Sequence, residues 1–140
     1  MKRIHLDTNF VIHALQRGSR EDRRLRAWLA ADVSVAMSAV AWAEFLCGPV
    51  EDADRETARR LVGTPVPLDA GTAERAAAMF NDTGRRRGTL GDCLIAATAV
   101  NAGAELATGN LADFRRLSDA GLVLAGDGRD GDDEPVDAAK

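Results

Sequence analysis

The chain predicts an α/β domain, a mainly parallel sheet with helices on both faces, and three observations predict it. Short apolar, β-branched runs alternate with helical stretches along the chain, which is the order of strands joined by crossover helices. The first run, Ile4-His5-Leu6, ends abruptly on Asp7-Thr8-Asn9, and a new periodic segment begins at once. The stretches Ser38–Cys47 and Leu90–Asn101 are apolar almost all round, as buried helices are.

Each element follows from local chemistry. After the first strand, Phe10-Val11-Ile12 and Ala14-Leu15 read as a helix ending near Arg17-Gly18. Ser19 with Asp22 fits a capping box for a second helix, whose apolar face is Leu25, Trp28 and Leu29. Val33 to Met37 is the second strand, and Ser38 caps a helix from Ala39 to Cys47 that Gly48-Pro49 closes. Asp52 to Val62 is an arginine-rich helix, and the Pro-flanked Pro65-Val66-Pro67-Leu68 suits an edge strand. Asp69 and Thr72 open a long helix over 70–86, with Ala76, Ala77, Met79 and Phe80 inward. Gly84 to Gly88 is an exposed basic loop, and Thr89 with Asp92 forms a capping box for the helix Leu90 to Asn101. Glu105 to Thr108 is a strand, Asn110 to Ser118 a helix, and Leu122-Val123-Leu124 the last strand.

Length and composition set bounds. The chain has 140 residues, most simply one domain over 1–125, and it can bury about two-thirds of its unfolded surface. No apolar stretch approaches the ~20 residues of a membrane span, and the apolar start is too short for the ~7–15-residue core of a signal peptide. Cys47 and Cys93 fall in apolar helical stretches without ligand spacing, so they read as buried thiols of a cytoplasmic protein. The net charge of −4 resides entirely in 126–140, where six acids face Arg129 and Lys140. That tail is expected to be disordered and carries no assigned role. The body is neutral. Its arginines cluster at Arg20/Arg23/Arg24/Arg26, Arg59-Arg60, Arg85-Arg86-Arg87 and Arg115-Arg116, as solvated helix faces or as forks for phosphate.

The acids carry the functional argument. Glu44 is the only charge in Ser38–Cys47, and a buried carboxylate there needs either an arginine or a shared cation site. Asp92 is explained equally by its capping box or by a site, and Asp113 by a cap with Asn110 or by a site. Asp7 too can cap the first helix. Jointly, however, Asp7, Glu44, Asp92 and Asp113 fall where a parallel sheet gathers its ligands, beyond the carboxyl ends of the strands. Carboxylates so placed repel one another and call for a hard cation, Mg²⁺ or Mn²⁺. His5, a flank of the first strand, and His13, on a helix surface, offer no zinc set, and no Gly-rich phosphate loop is present.

Four segments in this order resemble a PIN-domain ribonuclease of the VapC toxin type: Leu6-Asp7-Thr8-Asn9, Ala43-Glu44-Phe45, Gly91-Asp92-Cys93-Leu94-Ile95-Ala96-Ala97, and Thr108-Gly109-Asn110-Leu111-Ala112-Asp113-Phe114. The resemblance spans Met1 to about Leu124. It implies a three-layer α/β/α fold with a five-stranded sheet in the order 3-2-1-4-5. It implies an acidic quartet at Asp7, Glu44, Asp92 and Asp113 that holds Mg²⁺, or Mn²⁺, with Thr8, Thr108 and Asn110 in support. The function implied is metal-dependent endonucleolytic cleavage of RNA by the toxin of a type II toxin–antitoxin pair. Arg85, Arg86, Arg87, Arg115 and Arg116 would then contact backbone phosphates. The implied partners are RNA, a VapB-type antitoxin whose C-terminal segment places a basic side chain among the acids, and a second copy of the chain. Trp28, Trp42 and Phe45 are either such a dimer surface or core.

Three rivals stand beside this reading. An aspartyl-nucleophile phosphatase wants a second acid two residues after the first, where Asn9 stands. A phospho-receiver wants a lysine after a late strand, and the only lysines are Lys2 and Lys140. A non-catalytic PIN-fold module that binds RNA or protein predicts no metal-dependent activity.

Overall fold

Strand β1 (Arg3–Leu6) lies at the centre of a parallel sheet, between β2 (Ser34–Ala36) and β3 (Glu105–Ala107). The computed structural model describes residues 2–126; the acidic tail expected beyond them lies outside the described residues. Its expected first residue, Gly126, is instead buried with the body, in a turn at φ 61°. Successive strand residues face opposite ways, and Ile4, His5 and Leu6 are all buried, so both faces of the sheet are covered.

The sheet has three strands among the described residues, not five. The two outer segments reduce to single parallel bridges, Ser38 with Val66 and Leu106 with Leu124. Pro65 and Pro67 lack the N–H that would extend a ladder on either side of Val66. What remains there is Val66 N–H to the Met37 carbonyl at 2.9 Å and Ala39 N–H to the Val66 carbonyl at 2.8 Å. At the other edge Ala125 N–H reaches the Leu106 carbonyl at 2.8 Å, and Gly126 then turns the chain away.

The helices are α1 (Thr8–Ala14), α2 (Arg20–Ala30), α3 (Ala39–Cys47), α4 (Asp52–Val62), α5 (Ala70–Asp82), α6 (Leu90–Asn101) and α7 (Leu111–Arg115). Three predicted caps form: Ser19 Oγ accepts from Asp22 N–H at 3.0 Å, Ser38 Oγ from Ala41 N–H at 3.0 Å, and Asp69 Oδ1 from Thr72 N–H at 2.8 Å. Helix α5 stops four residues before the expected Arg86. Thr83 turns its hydroxyl back onto the Met79 carbonyl at 2.7 Å, and Gly84 and Arg85 follow at φ 92° and 54°. The predicted Thr89 cap does not form either: Thr89 sits at φ −103° and ψ 0°, outside the extended conformation of the caps that form, and its hydroxyl points back to donate to the Arg86 carbonyl at 2.7 Å. Past Arg115 the expected helix becomes a separate 3₁₀ turn, Ser118–Ala120.

The core runs from Ile4, Leu6 and Phe10 through Phe45, Met79 and Ile95 to Leu106, Phe114 and Leu117. Each of these large side chains contributes about 1.5–3 kcal/mol by leaving water. Of the two alternatives left open for the aromatics, Phe45 and Trp28 are core, and Trp42 is half-buried against Phe45, ring centroids 5.4 Å apart. Phe10 stacks on Trp28 at 5.6 Å, and the Arg24 guanidinium covers both rings while donating to the Ala125 carbonyl at 3.1 Å. Ala77 is exposed rather than inward, and Cys47, in the last turn of α3, is exposed rather than buried; Cys93 is buried as expected. His13 is on the surface, as expected. His5 is not a flank: it is buried within β1, its Nδ1 has no hydrogen-bond partner among the described residues, and burial lowers its pKa to about 4.

Candidate active site

Asp7 leaves β1 and starts α1. Its backbone remains in the sheet, N–H to the Ala107 carbonyl at 2.9 Å, while its side chain caps α1. Oδ1 accepts from Thr8 N–H at 2.8 Å and Oδ2 from the Thr108 hydroxyl at 2.8 Å. Thr108 follows β3, and its oxygen also accepts from Asn110 N–H at 2.9 Å. One buried hydroxyl thereby ties the ends of two adjacent strands together. Burial raises the Asp7 pKa, and the hydrogen bonds from Thr108 and Thr8 partly offset the rise.

Glu44 arrives from α3 in a different way. It is exposed, so a buried lone charge is not what brings it to the site. The inward positions of α3 are Ala41 and Phe45, and Glu44 stands on the side that meets α1 and α6. The Thr8 hydroxyl lies 3.0 Å from Glu44 Oε1 and 3.1 Å from the Ala41 carbonyl, and its single proton serves one of them at a time. Glu44 also fits tightly against α6. A Cβ on Gly91 would sit 3.2 Å from Glu44 Oε2, so a larger residue there would push the exposed carboxylate back by a few tenths of an ångström.

Asp92, in the first turn of α6, is where the acids meet. It is half-buried, and its pKa is raised to about 6, first by desolvation and then by the charges of Asp7, Asp113 and Glu44. Only Arg116 pulls the other way. With the Thr89 hydroxyl spent on Arg86, the capping box no longer accounts for Asp92. Asp113 is exposed in the first turn of α7, and the Asn110 side chain makes no cap there, its backbone N–H alone joining the network. Arg116 donates through Nε to the Asp113 carbonyl at 2.9 Å, and its Nη1 is buried without a hydrogen-bond partner among the described residues. Arg115 and Arg85–Arg87 are exposed, the latter on the loop between α5 and α6.

Two participants escape a reading of the sequence. Asn9 Oδ1 accepts from Gly109 N–H at 3.3 Å, joining the start of α1 to the turn after β3. Gly91, a poor helix former one residue before Asp92, was the one signal for the close approach of α3 and α6.

A family model for the PIN domain matches residues 4–120. The chain belongs to the PIN domain family. The fold is shared with VapBC2 from Rickettsia felis bound to a DNA fragment from their promoter (TM-score 0.70, 19% identity, 88% of this chain and 97% of that one). It is shared with FitAcB from Neisseria gonorrhoeae (TM-score 0.63, 23% identity, 86% and 95%). A toxin–antitoxin complex from Klebsiella pneumoniae is also similar (TM-score 0.64, 26% identity, 79% and 89%). No protein of curated function matches the sequence. In this PIN domain the four acids approach from four different elements, three of them helices.

The donor chemistry fits a hard cation. All four groups are carboxylates, and their mutual repulsion, which adds to desolvation in raising the Asp92 pKa, is what a divalent ion would relieve. Among the described residues no three acid, His or Cys side chains are arranged to hold one ion as they stand. Among the described residues no helix is long and apolar enough to cross a membrane.

Proposed function

We propose that this chain is a metal-dependent endoribonuclease, the toxin of a type II toxin–antitoxin pair that acts in the cytoplasm. The observation that carries the reading is the convergence of Asp7, Glu44 and Asp113 on Asp92, whose carboxyl is raised to about 6 by desolvation first and by their charges second. Asp7, Glu44 and Asp92 would hold the ion, Mg²⁺ or Mn²⁺, with Asp113 in support. When bound, the ion supplies a water of lowered pKa and offsets charge building on the scissile phosphate. Thr108 fixes Asp7, and Thr8 orients Glu44, as partners that aim ligand carboxylates. Asn110 holds the Thr108 hydroxyl through its backbone. Arg116 limits repulsion around Asp92, and Arg85, Arg86, Arg87 and Arg115 contact the RNA backbone, contacts that weaken with salt.

The neighbours known as toxin–antitoxin complexes support a VapB-type antitoxin as partner, its C-terminal segment placing a basic side chain among the acids. A homodimer belongs to the same reading, and light scattering at high micromolar concentration tests it, a strict monomer counting against it. The test of activity is RNA cleavage by the purified chain with Mg²⁺, with EDTA, and after Asp7→Asn or Asp92→Asn. Cleavage that needs Mg²⁺ and disappears in both variants is expected; cleavage unchanged in Asp7→Asn sinks the assignment.

A further inference from the structure

We propose that the loop 84–88 is a one-sided phosphate anchor: its three guanidinia grip backbone phosphates of the RNA on the α5–α7 flank of the acids, and the strand over α1 and α3 is left unheld. The inference rests on the ribonuclease reading and adds to it which part of the substrate is gripped. The loop backbone is fixed at both ends. The Thr83 hydroxyl donates to the Met79 carbonyl at 2.7 Å and Arg85 N–H to the Phe80 carbonyl at 3.0 Å, which closes α5. The Arg86 carbonyl accepts from Thr89 twice, from its N–H at 3.2 Å and its hydroxyl at 2.7 Å, where α6 begins. Arg85 stands between at φ 54°, a left-handed conformation uncommon for a long side chain.

The side chains, in contrast, are unspent. Arg85, Arg86 and Arg87 are exposed, and their guanidinia have no hydrogen-bond or ion-pair partner among the described residues. Elsewhere Arg3, Arg23, Arg75 and Arg116 are committed to carbonyl or amide oxygens. Asp82 is the only acid in 81–91, so the patch is net positive. Its three Cα atoms span at most about 7 Å, and Arg87 lies within about 18 Å of Asp92 along the chain, so the row meets phosphates only a few nucleotides from the one being cut. The end of α5 shares a cavity lining with Arg116 and Asp119, and the exposed Arg115 is on α7, so unspent positive charge gathers on this flank. The opposite flank differs. Helices α1 and α3 contain no lysine or arginine, and the exposed charge there is that of Glu44. A fork on a phosphate remote from the reacting bond binds ground and transition states alike, so the grip acts on KM.

The experiment maps the cut made with Mg²⁺ in a single-stranded RNA of mixed sequence, then shortens that RNA from either end. The wild type is compared with the triple variants Arg85→Gln/Arg86→Gln/Arg87→Gln and Arg85→Lys/Arg86→Lys/Arg87→Lys, and all three proteins are expected to melt alike. Expected on shortening one side is a fall of about tenfold in kcat/KM, carried by KM, with no change on shortening the other. The Gln variant should show that loss already on the long RNA and lose nothing further on shortening, whereas the Lys variant keeps most of the affinity. In EDTA, where no cleavage intervenes, the affinity of the Gln variant for the long RNA should fall less steeply with salt, by about 0.7 in log–log slope for each lost contact. Equal losses from both ends, losses that simply add, or an unchanged salt slope each overturn the proposal while leaving the nuclease. Absence of cleavage by the wild type overturns the ribonuclease reading and this proposal with it.

Discussion

Asp7 and Glu44 serve one site from opposite conditions. Asp7 is buried, both of its oxygens are engaged, and its backbone is locked into the sheet. Glu44 is exposed and holds one shared hydroxyl. The difference teaches that the site has a fixed corner and an adjustable wall. A carboxylate fixed by neighbours costs little reorganisation when a ligand arrives, whereas an exposed one can follow the ligand's size. Under the proposed function a divalent ion would be held rigidly at the Asp7 corner, and the Glu44 side would adjust to substrate.

The sharpest way to break the comparison is to lengthen one acid and shorten the other. Asp7→Glu overfills a buried corner, with an expected loss of about 1–3 kcal/mol of stability by denaturant melts and no detectable RNA cleavage. Glu44→Asp keeps the fold and a measurable fraction of cleavage. Equal damage from the two would show that exposure makes no difference. The supporting hydroxyls should rank the same way. Thr108→Val strips Asp7 of an acceptor bond and orphans Asn110 N–H, so a 10–100-fold fall in Mg²⁺ affinity and cleavage is expected, with about 1 kcal/mol of stability. Thr8→Val costs only a few-fold, since the exposed Glu44 is hydrated without it.

Asp92 gives a test with a definite sign. Its folded pKa, about 6, lies above its ordinary 3.8, so its contribution to stability is complete below about pH 4 and is lost as pH rises through 6. Without metal, Asp92→Asn should therefore melt above the wild type at pH 7, the gap closing toward pH 4, and added Mg²⁺ should raise the wild type alone. The smallest effect is expected of Gly91→Ala, whose Cβ would displace Glu44 Oε2 from 3.2 Å by a few tenths of an ångström. Cleavage should fall a few-fold with melting unchanged.

Much of this was legible, though not always for the right reason. The strand that ends on Asp7, the helix order and the caps at Ser19, Ser38 and Asp69 follow from alternation and turn chemistry, which are local. Glu44 stands out in the sequence as the lone charge of an apolar helix, yet it is exposed; apolar composition does not reveal which side of the helix meets solvent. Asp92 had an adequate local explanation that the structure removes, since Thr89 sits outside the extended conformation of a cap and its hydroxyl points back to Arg86. The outer strands were legible as segments but not as ladders, because Pro65 and Pro67 bear on partners that only the fold supplies. The Thr108–Asp7 bond joins residues 101 apart, and no spacing rule reaches that far.

The imidazole buried in β1 has a consequence for the whole fold. His5 has a pKa near 4 when folded, below its ordinary 6.5, so folding expels a proton there and the stability it confers above pH 6.5 drains away toward pH 4. Asp92 takes a proton up on folding over nearly the same interval. The two exchanges oppose each other, leaving these residues close to proton-neutral in sum between about pH 4 and 6. Taking away the Asp92 carboxyl uncovers the histidine: the molecule becomes steadier at neutral pH and, for the first time, sensitive to mild acid.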